Sequence, residues 1–299
     1  MKILKNINIR SIAKINPTGW LLAVILLSGC YDSEILDVPV NEPDNLPNTP
    51  LDNYIQEEFI DKYDMAIRYR FVDNYVDPGK RVTPPRLENV RPMLDFIEEF
   101  WINPYLEIQN GETFFKDHVP PEIIFLGGLI FNSDGTVTLG TADAGARITF
   151  TNVNGLDPED EEWVSRQLNV VYHEFAHTIH QRYKLPASFE KISPAGYTSA
   201  GSWFILSDGE ALERGFVSPY ATSSPNEDFA ETVAFFLFDK NFYENYIILE
   251  ENCTTVDCED RNEGRKKINQ KLNAIIDHYQ KVVGISLEAL RAAIQSRLG

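Results

Sequence analysis

Apolar positions recur along this chain with two different periods, and the periods separate strand-like from helix-like stretches. Met65, Ile67, Tyr69 and Phe71 alternate with Arg68 and Arg70, which predicts a strand over 65–72. Met93, Leu94, Ile97, Phe100 and Trp101 fall at helical spacing, so a helix is expected near 90–102. Three short β-prone runs follow at 122–126, 129–132 and 136–139, and the turn Ser133-Asp134-Gly135 makes the last two a hairpin. Ile148 and Phe150 alternate with Arg147, Thr149 and Thr151, predicting a fourth strand over 146–152.

Helix signals then take over. Asp157 suits a cap, Pro158 a first turn, and Glu159 to Glu162 the positive end of the dipole. That helix should run until Pro186 forbids continuation. From about 225 onward the pattern is mostly helical. Ile268, Leu272, Ile275, Ile276, Tyr279 and Val283 mark one amphipathic face, and Leu287, Leu290, Ile294 and Leu298 mark the last. A small sheet followed by helices implies an α+β fold. One domain over 51–299 is expected, with a sheet-bearing part at about 51–186 and a helical part at about 187–299.

The helix before Pro186 carries His173-Glu174-Phe175-Ala176-His177, an H-E-x-x-H segment. Residues four apart share a helical face, so His173 and His177 can grip one metal ion. Glu174 is then placed as the base that takes a proton from water. Zinc suits two histidines and a carboxylate with one position left open, so one catalytic Zn2+ is expected. The extended form with a third histidine six residues on is excluded, because Tyr183 stands there. The third ligand must be a carboxylate downstream, for which Asp208, Glu210, Glu213, Glu227, Asp228 and Glu231 compete. His180, three residues after His177, either lines the cleft or is an ordinary surface or capped histidine. His118 and His278 belong to no recognisable constellation.

The N-terminus reads as an export signal over 1–29. Lys2, Lys5, Arg10 and Lys14 precede a short apolar run at 21–27, too short to span a bilayer. It ends in Leu27-Ser28-Gly29-Cys30, which resembles the lipobox of bacterial lipoproteins and implies lipidation of Cys30. Residues 30–50 read as a tether, with Pro39, Pro43, Pro47 and Pro50, five acids and no base. Acids close behind the cysteine (Asp32, Glu34, Asp37) resemble the surface-export signals of Bacteroidota lipoproteins.

The full chain carries a formal charge of -18, and loss of the basic segment 1–29 takes it to about -22. Such a charge makes nucleic acid and anionic membrane surfaces poor partners. After Cys30 only Cys253 and Cys258 remain, in an acidic, loop-like stretch at 252–260, where a local disulfide is expected in an oxidising compartment.

The segment Glu227-Asp228-Phe229-Ala230-Glu231 resembles the E-x-F-A-E segment of the lethal-factor type of gluzincin peptidases. The resemblance implies Glu227 as third zinc ligand and Glu231 as the carboxylate supporting a zinc-binding histidine from behind. It also implies that Tyr220, seven residues before Glu227, points at the reacting carbonyl. Two readings stay open beside it. Ser224-Pro225-Asn226-Glu227 also forms a capping box, which would make Glu227 structural and Glu231 the ligand. Tyr220 reads equally as a packed tyrosine.

With the lipobox, the acidic tether, HEFAHTIHQ and the GFVSPYA…EDFAE segment, the chain resembles the zinc metallopeptidase lipoproteins encoded with TonB-dependent nutrient-import systems of Bacteroidota. That resemblance implies a zincin-like, gluzincin-type peptidase anchored by lipid to the outer membrane, at the cell surface or on the periplasmic face. It implies peptide or protein substrates and an outer-membrane import complex as partner. Two other readings compete: a non-catalytic binding lipoprotein of such a complex, and a zinc hydrolase of another amide.

Overall fold

The computed structural model describes residues 48–132, 136–138, 140–142, 146–199 and 201–299. The signal segment, Cys30 and the tether up to Pro47 lie outside the described residues, as does the turn Ser133-Asp134-Gly135. Residues 48–299 form a single compact unit.

The first element is a helix that the acidic, proline-bearing pattern does not predict. Thr49 and Asp52 close a reciprocal capping box, and Pro50 sits at the start, where its missing N–H costs nothing. This helix, α1, covers 50–63 and widens to a π turn over Gln56–Ile60. Strand β1 is only Ala66–Arg68, shorter than the predicted 65–72. Tyr69 and Arg70 instead reach back to Asp52, at 2.7 and 2.8 Å, and pull the chain off the ladder.

Helix α2 starts as Leu87–Ile97, passes a π turn at Glu98–Ile102 and continues as Asn103–Glu107. Pro104 lacks the N–H that would bond the Phe100 carbonyl four residues back. The hydroxyl of Tyr172 takes that carbonyl instead, tying α2 to the helix that bears the histidines. Helix α3 (Gly111–His118) follows. Strands β2 (Glu122–Phe125), β3 (Ile130–Phe131), β4 (Val137–Thr138), β5 (Gly140–Ala142) and β6 (Arg147–Phe150) come next. β3 and β4 pair as a separate antiparallel hairpin.

The main sheet has the order β1-β2-β6-β5, with β5 alone antiparallel. The predicted strand at 146–152 is therefore internal, bonded by β2 on one side and by β5 on the other. β1 and β5, the second of which no pattern predicts, are the two edges of this sheet among the described residues.

Helix α4 (Glu161–Tyr183) is capped by Asp160, whose carboxylate accepts from Glu162 N at 2.9 Å. Asp157, the expected cap, only accepts from Glu159 N in the preceding turn. The helix stops at Tyr183, three residues before Pro186 and sooner than the proline requires. Lys184 leaves it at φ 61°, ψ 175°, a conformation natural only to glycine. The remaining helices are α5 (Asp208–Arg214), α6 (Pro225–Phe238), α7 (Phe242–Tyr246), α8 (Val256–His278, then a π turn at Tyr279–Val283) and α9 (Leu287–Leu298). Cys253 and Cys258 form a disulfide with Cα atoms 5.4 Å apart. Cys258 lies in the first turn of α8 and not in a loop.

The architecture is α+β and mostly helical, with α4 as its axis. One face of α4 sends Phe175 into a ring cluster with Trp101, Tyr105 and Phe115, edges meeting faces in two of the three contacts. Another face packs extensively on α6. Where α8 crosses α5, a Cβ on Gly264 would lie 1.7 Å from the Leu212 carbonyl, so only glycine allows that approach.

Candidate metal centre

The α4–α6 interface brings three polar side chains to one point. His173 Nε2 lies 3.0 Å from His177 Nε2 and 3.0 Å from Glu227 Oε2, and His177 Nε2 lies 3.1 Å from the same oxygen. The two rings come from one face of α4 by their i, i+4 spacing. Glu227 comes from the first turn of α6, whose cap is Ser224 accepting from Glu227 N at 3.2 Å. The backbone of Glu227 thus serves the cap while its carboxylate faces the histidines. Only the Ser224 half of the expected capping box forms, because the Glu227 carboxylate turns to the histidines and does not reach back to the cap.

Hydrogen-bond logic fixes the role of one ring nitrogen. His173 Nδ1 lies 2.8 Å from Glu231 Oε1, and a carboxylate can only accept, so Nδ1 donates. His177 Nδ1 lies 2.8 Å from His180 Nε2. Both Nε2 atoms and a carboxylate oxygen thus converge, and once His173 gives up its Nε2 proton they form a set of three metal donors. A tetrahedral zinc with ligands at about 2.0–2.1 Å needs its donors about 3.3 Å apart, close to the separations here. The donor set fits the ion.

Glu231 is held from three sides, by His173, by Ser218 Oγ at 2.5 Å and by Asn169 Nδ2 at 3.4 Å. It stands one turn behind Glu227 and not among the three converging atoms. The other competitors for third ligand are elsewhere. Asp228 turns away to Lys271, Glu210 caps α5 through Ser207, and Asp208 and Glu213 take no part in the cluster. His118 bonds Phe114 O and the Tyr183 hydroxyl, at 2.6 and 2.8 Å, a satisfied core histidine.

The electrostatics follow from burial and these contacts. Burial would lower the pKa of His173, but its hydrogen bonds to Glu227 and Glu231 outweigh that and raise it to about 10. Burial raises Glu227, yet the two histidines hold it well below the usual carboxylate range. Burial and the adjacent His177 push His180 down to about 4, so its ring is neutral at pH 7. Burial, followed by the charges of Glu227 and Glu174, raises the Tyr220 hydroxyl, which keeps its proton. The Tyr220 ring lies 5.8 Å from that of His173 and is 37% exposed. The sequence reading assigned no role to Ser218 or Asn169, and left that of His180 open. The H-E-x-x-H-x-x-H spacing was the available signal for His180; Ser218 and Asn169 carry no local signal.

A helix-borne pair of histidines with a carboxylate from a second helix is a group that could hold a metal ion. The chain belongs to the family described as putative zinc-binding metallo-peptidase, whose sequence model matches residues 44–288. It is also similar to a crystal structure of a putative zinc-binding metallo-peptidase from Bacteroides caccae, with 28% identity and a TM-score of 0.66. That likeness covers 82% of this chain and 90% of the other. No curated protein matches the sequence.

Proposed function

We propose that this chain is a gluzincin-type peptidase that binds one zinc ion through His173, His177 and Glu227 and hydrolyses peptide bonds. The convergence of those three donor atoms at 3.0–3.1 Å carries the reading. Zinc held there would supply Lewis-acid polarisation of the scissile carbonyl and of water. The side chains behind the ligands do the orienting. Glu231 accepts the Nδ1 proton of His173 and His180 accepts that of His177, which leaves both Nε2 lone pairs free for the metal.

Glu174 is close enough that its charge raises the proton affinity of both His173 and Tyr220. It takes the proton of the attacking water and delivers it to the leaving amine. Tyr220, kept protonated, donates a hydrogen bond to the developing oxyanion, a role worth roughly 3 kcal/mol. An extended peptide could add to the edge of β5, which packs against α4, whereas the strand at 146–152 is bonded on both sides.

The cellular setting belongs to the same proposal and rests on sequence alone. The lipobox-like Leu27 to Cys30 and the acids behind it support a lipid anchor at Cys30. They favour the outer membrane, facing the cell surface, and a place beside a nutrient-import complex. Against a purely ligand-displaying role stands Glu174, a base that a zinc clamp does not need.

Glu174→Gln tests the chemistry. Zinc content should stay at one ion per chain while turnover of a peptide library disappears, and cleavage by the variant at the wild-type rate would sink the assignment.

A further inference from the structure

The loop between α4 and α5 is mostly small and polar, with Thr198, Ser199, Gly201, Ser202 and Ser207, yet it holds the run Trp203-Phe204-Ile205-Leu206. These apolar side chains are not tucked away. Phe204 is 47% exposed and Ile205 72%, while Trp203 is half-buried. Single exposed apolar residues are ordinary, but adjacent ones in a polar loop form a patch that needs a reason.

The patch is built and not left over from collapse. Its turn is closed by Ile205 N donating to Ser202 O and Leu206 N to Trp203 O, at 3.4 and 3.1 Å. Gly201 turns the chain into it at φ +74°. A ladder of rings then runs to the metal centre: Phe204 against Trp203 at 6.1 Å, Trp203 edge-on to Tyr220 at 5.0 Å, and Tyr220 against His173 at 5.8 Å. The polar end of this ladder is where the reacting carbonyl would sit, and the apolar end is open.

We propose that Trp203, Phe204 and Ile205 form the subsite for a bulky apolar side chain of the peptide, leucine- or phenylalanine-like, next to the scissile bond. The proposal rests on the peptidase reading and names the substrate class that reading lacks. Continuity with the centre selects this occupant. The acid-rich stretch 31–47 is a poor one, because Glu174, Glu227 and Glu231 surround the inner end of the ladder. Anionic bilayers are repelled for the same reason.

Burial of one leucine side chain is worth roughly a 10- to 100-fold preference over glycine. The zinc-loaded protein should therefore bind leucine hydroxamate 10- to 100-fold more tightly than glycine hydroxamate by calorimetry. Phe204→Ser and Ile205→Ser, both at exposed positions, should bring that ratio towards one. Glycine hydroxamate affinity and zinc content should not change. Equal affinities in the wild type, or a ratio indifferent to both substitutions, overturns the subsite alone. Failure of both hydroxamates to bind overturns the zinc reading and the subsite with it. Adsorption to phosphatidylcholine vesicles that Phe204→Ser abolishes, with an unchanged ratio, replaces the subsite by a lipid-facing patch.

Discussion

Lys271→Met should destabilise this protein by about 3–4 kcal/mol at pH 7 and far less at pH 5. Lys271 Nζ lies 2.8 Å from Asp228 Oδ2, and both side chains are fully buried. Asp228 also accepts from Tyr197 Oη at 2.8 Å and Thr232 Oγ1 at 3.4 Å, while Nζ donates to Gly215 O at 2.7 Å. Removing one partner of such a pair costs roughly 3–5 kcal/mol, because the other charge stays buried. Asp228 has an escape, which is to take up a proton. Its unperturbed pKa is 3.8, so holding it neutral at pH 7 costs at most ~4.4 kcal/mol, and at pH 5 at most ~1.6 kcal/mol. Burial already pushes it up to about 6 with the lysine in place, so that proton is readily accepted. Methionine fills most of the volume of the lysine stem, which keeps any cavity small. Adding Asp228→Asn should recover most of the loss at pH 7. Urea unfolding of the metal-free protein at both pH values is the assay. A loss under 1 kcal/mol at pH 7, or an equal loss at both, would refute the reasoning.

The other predictions concern the centre and its frame. His180→Leu and Glu231→Gln should each weaken zinc binding by roughly 10- to 100-fold in chelator competition; unchanged affinity would show that the outer hydrogen bonds do not orient the ligands. In the metal-free protein, His173 titrates at about 10 when folded against 6.5 as a free side chain. Its stabilising contribution is therefore complete below about pH 6.5 and is lost as pH rises through 10. The metal-free melting temperature should fall across that window, and a flat profile would contradict the assignment. Gly264→Ala should cost about 1–3 kcal/mol in the same unfolding assay, since its Cβ would meet the Leu212 carbonyl; a neutral result would mean α8 shifts freely on α5.

The parts that were legible in the sequence are those written locally. The H-E-x-x-H spacing, the Ser224 cap and the amphipathic faces of α8 and α9 each sit within a few residues of one another. Pairing partners are not local. Arg147 to Phe150 alternates like a half-buried strand, and nothing in those residues says that β5 closes its other side. β5 itself, Gly140-Thr141-Ala142, is too short and too weakly β-prone to register. α1 went unassigned because its start, Pro50, closed the stretch read as tether, although proline and acids also suit a helix start. Glu227 and Glu231 could not be ranked by periodicity, since both occupy one helical face. Only the approach of α6 to α4 puts one beside the lone pairs and the other behind His173. Asp228 and Lys271 lie 43 positions apart, and a charged pair gives no sign in the sequence that it is buried.

The three converging donors come from both halves of the chain, two before Pro186 and one after it. Neither half alone can present the full set, so an ion that prefers it binds only the assembled molecule. By mass action, free zinc a hundredfold above its dissociation constant would deepen the folded well by about 2.7 kcal/mol. Partly opened chains are what neighbouring proteases cut, and their population would fall about a hundredfold. Zinc supply would then set how long each copy survives as well as how fast it works.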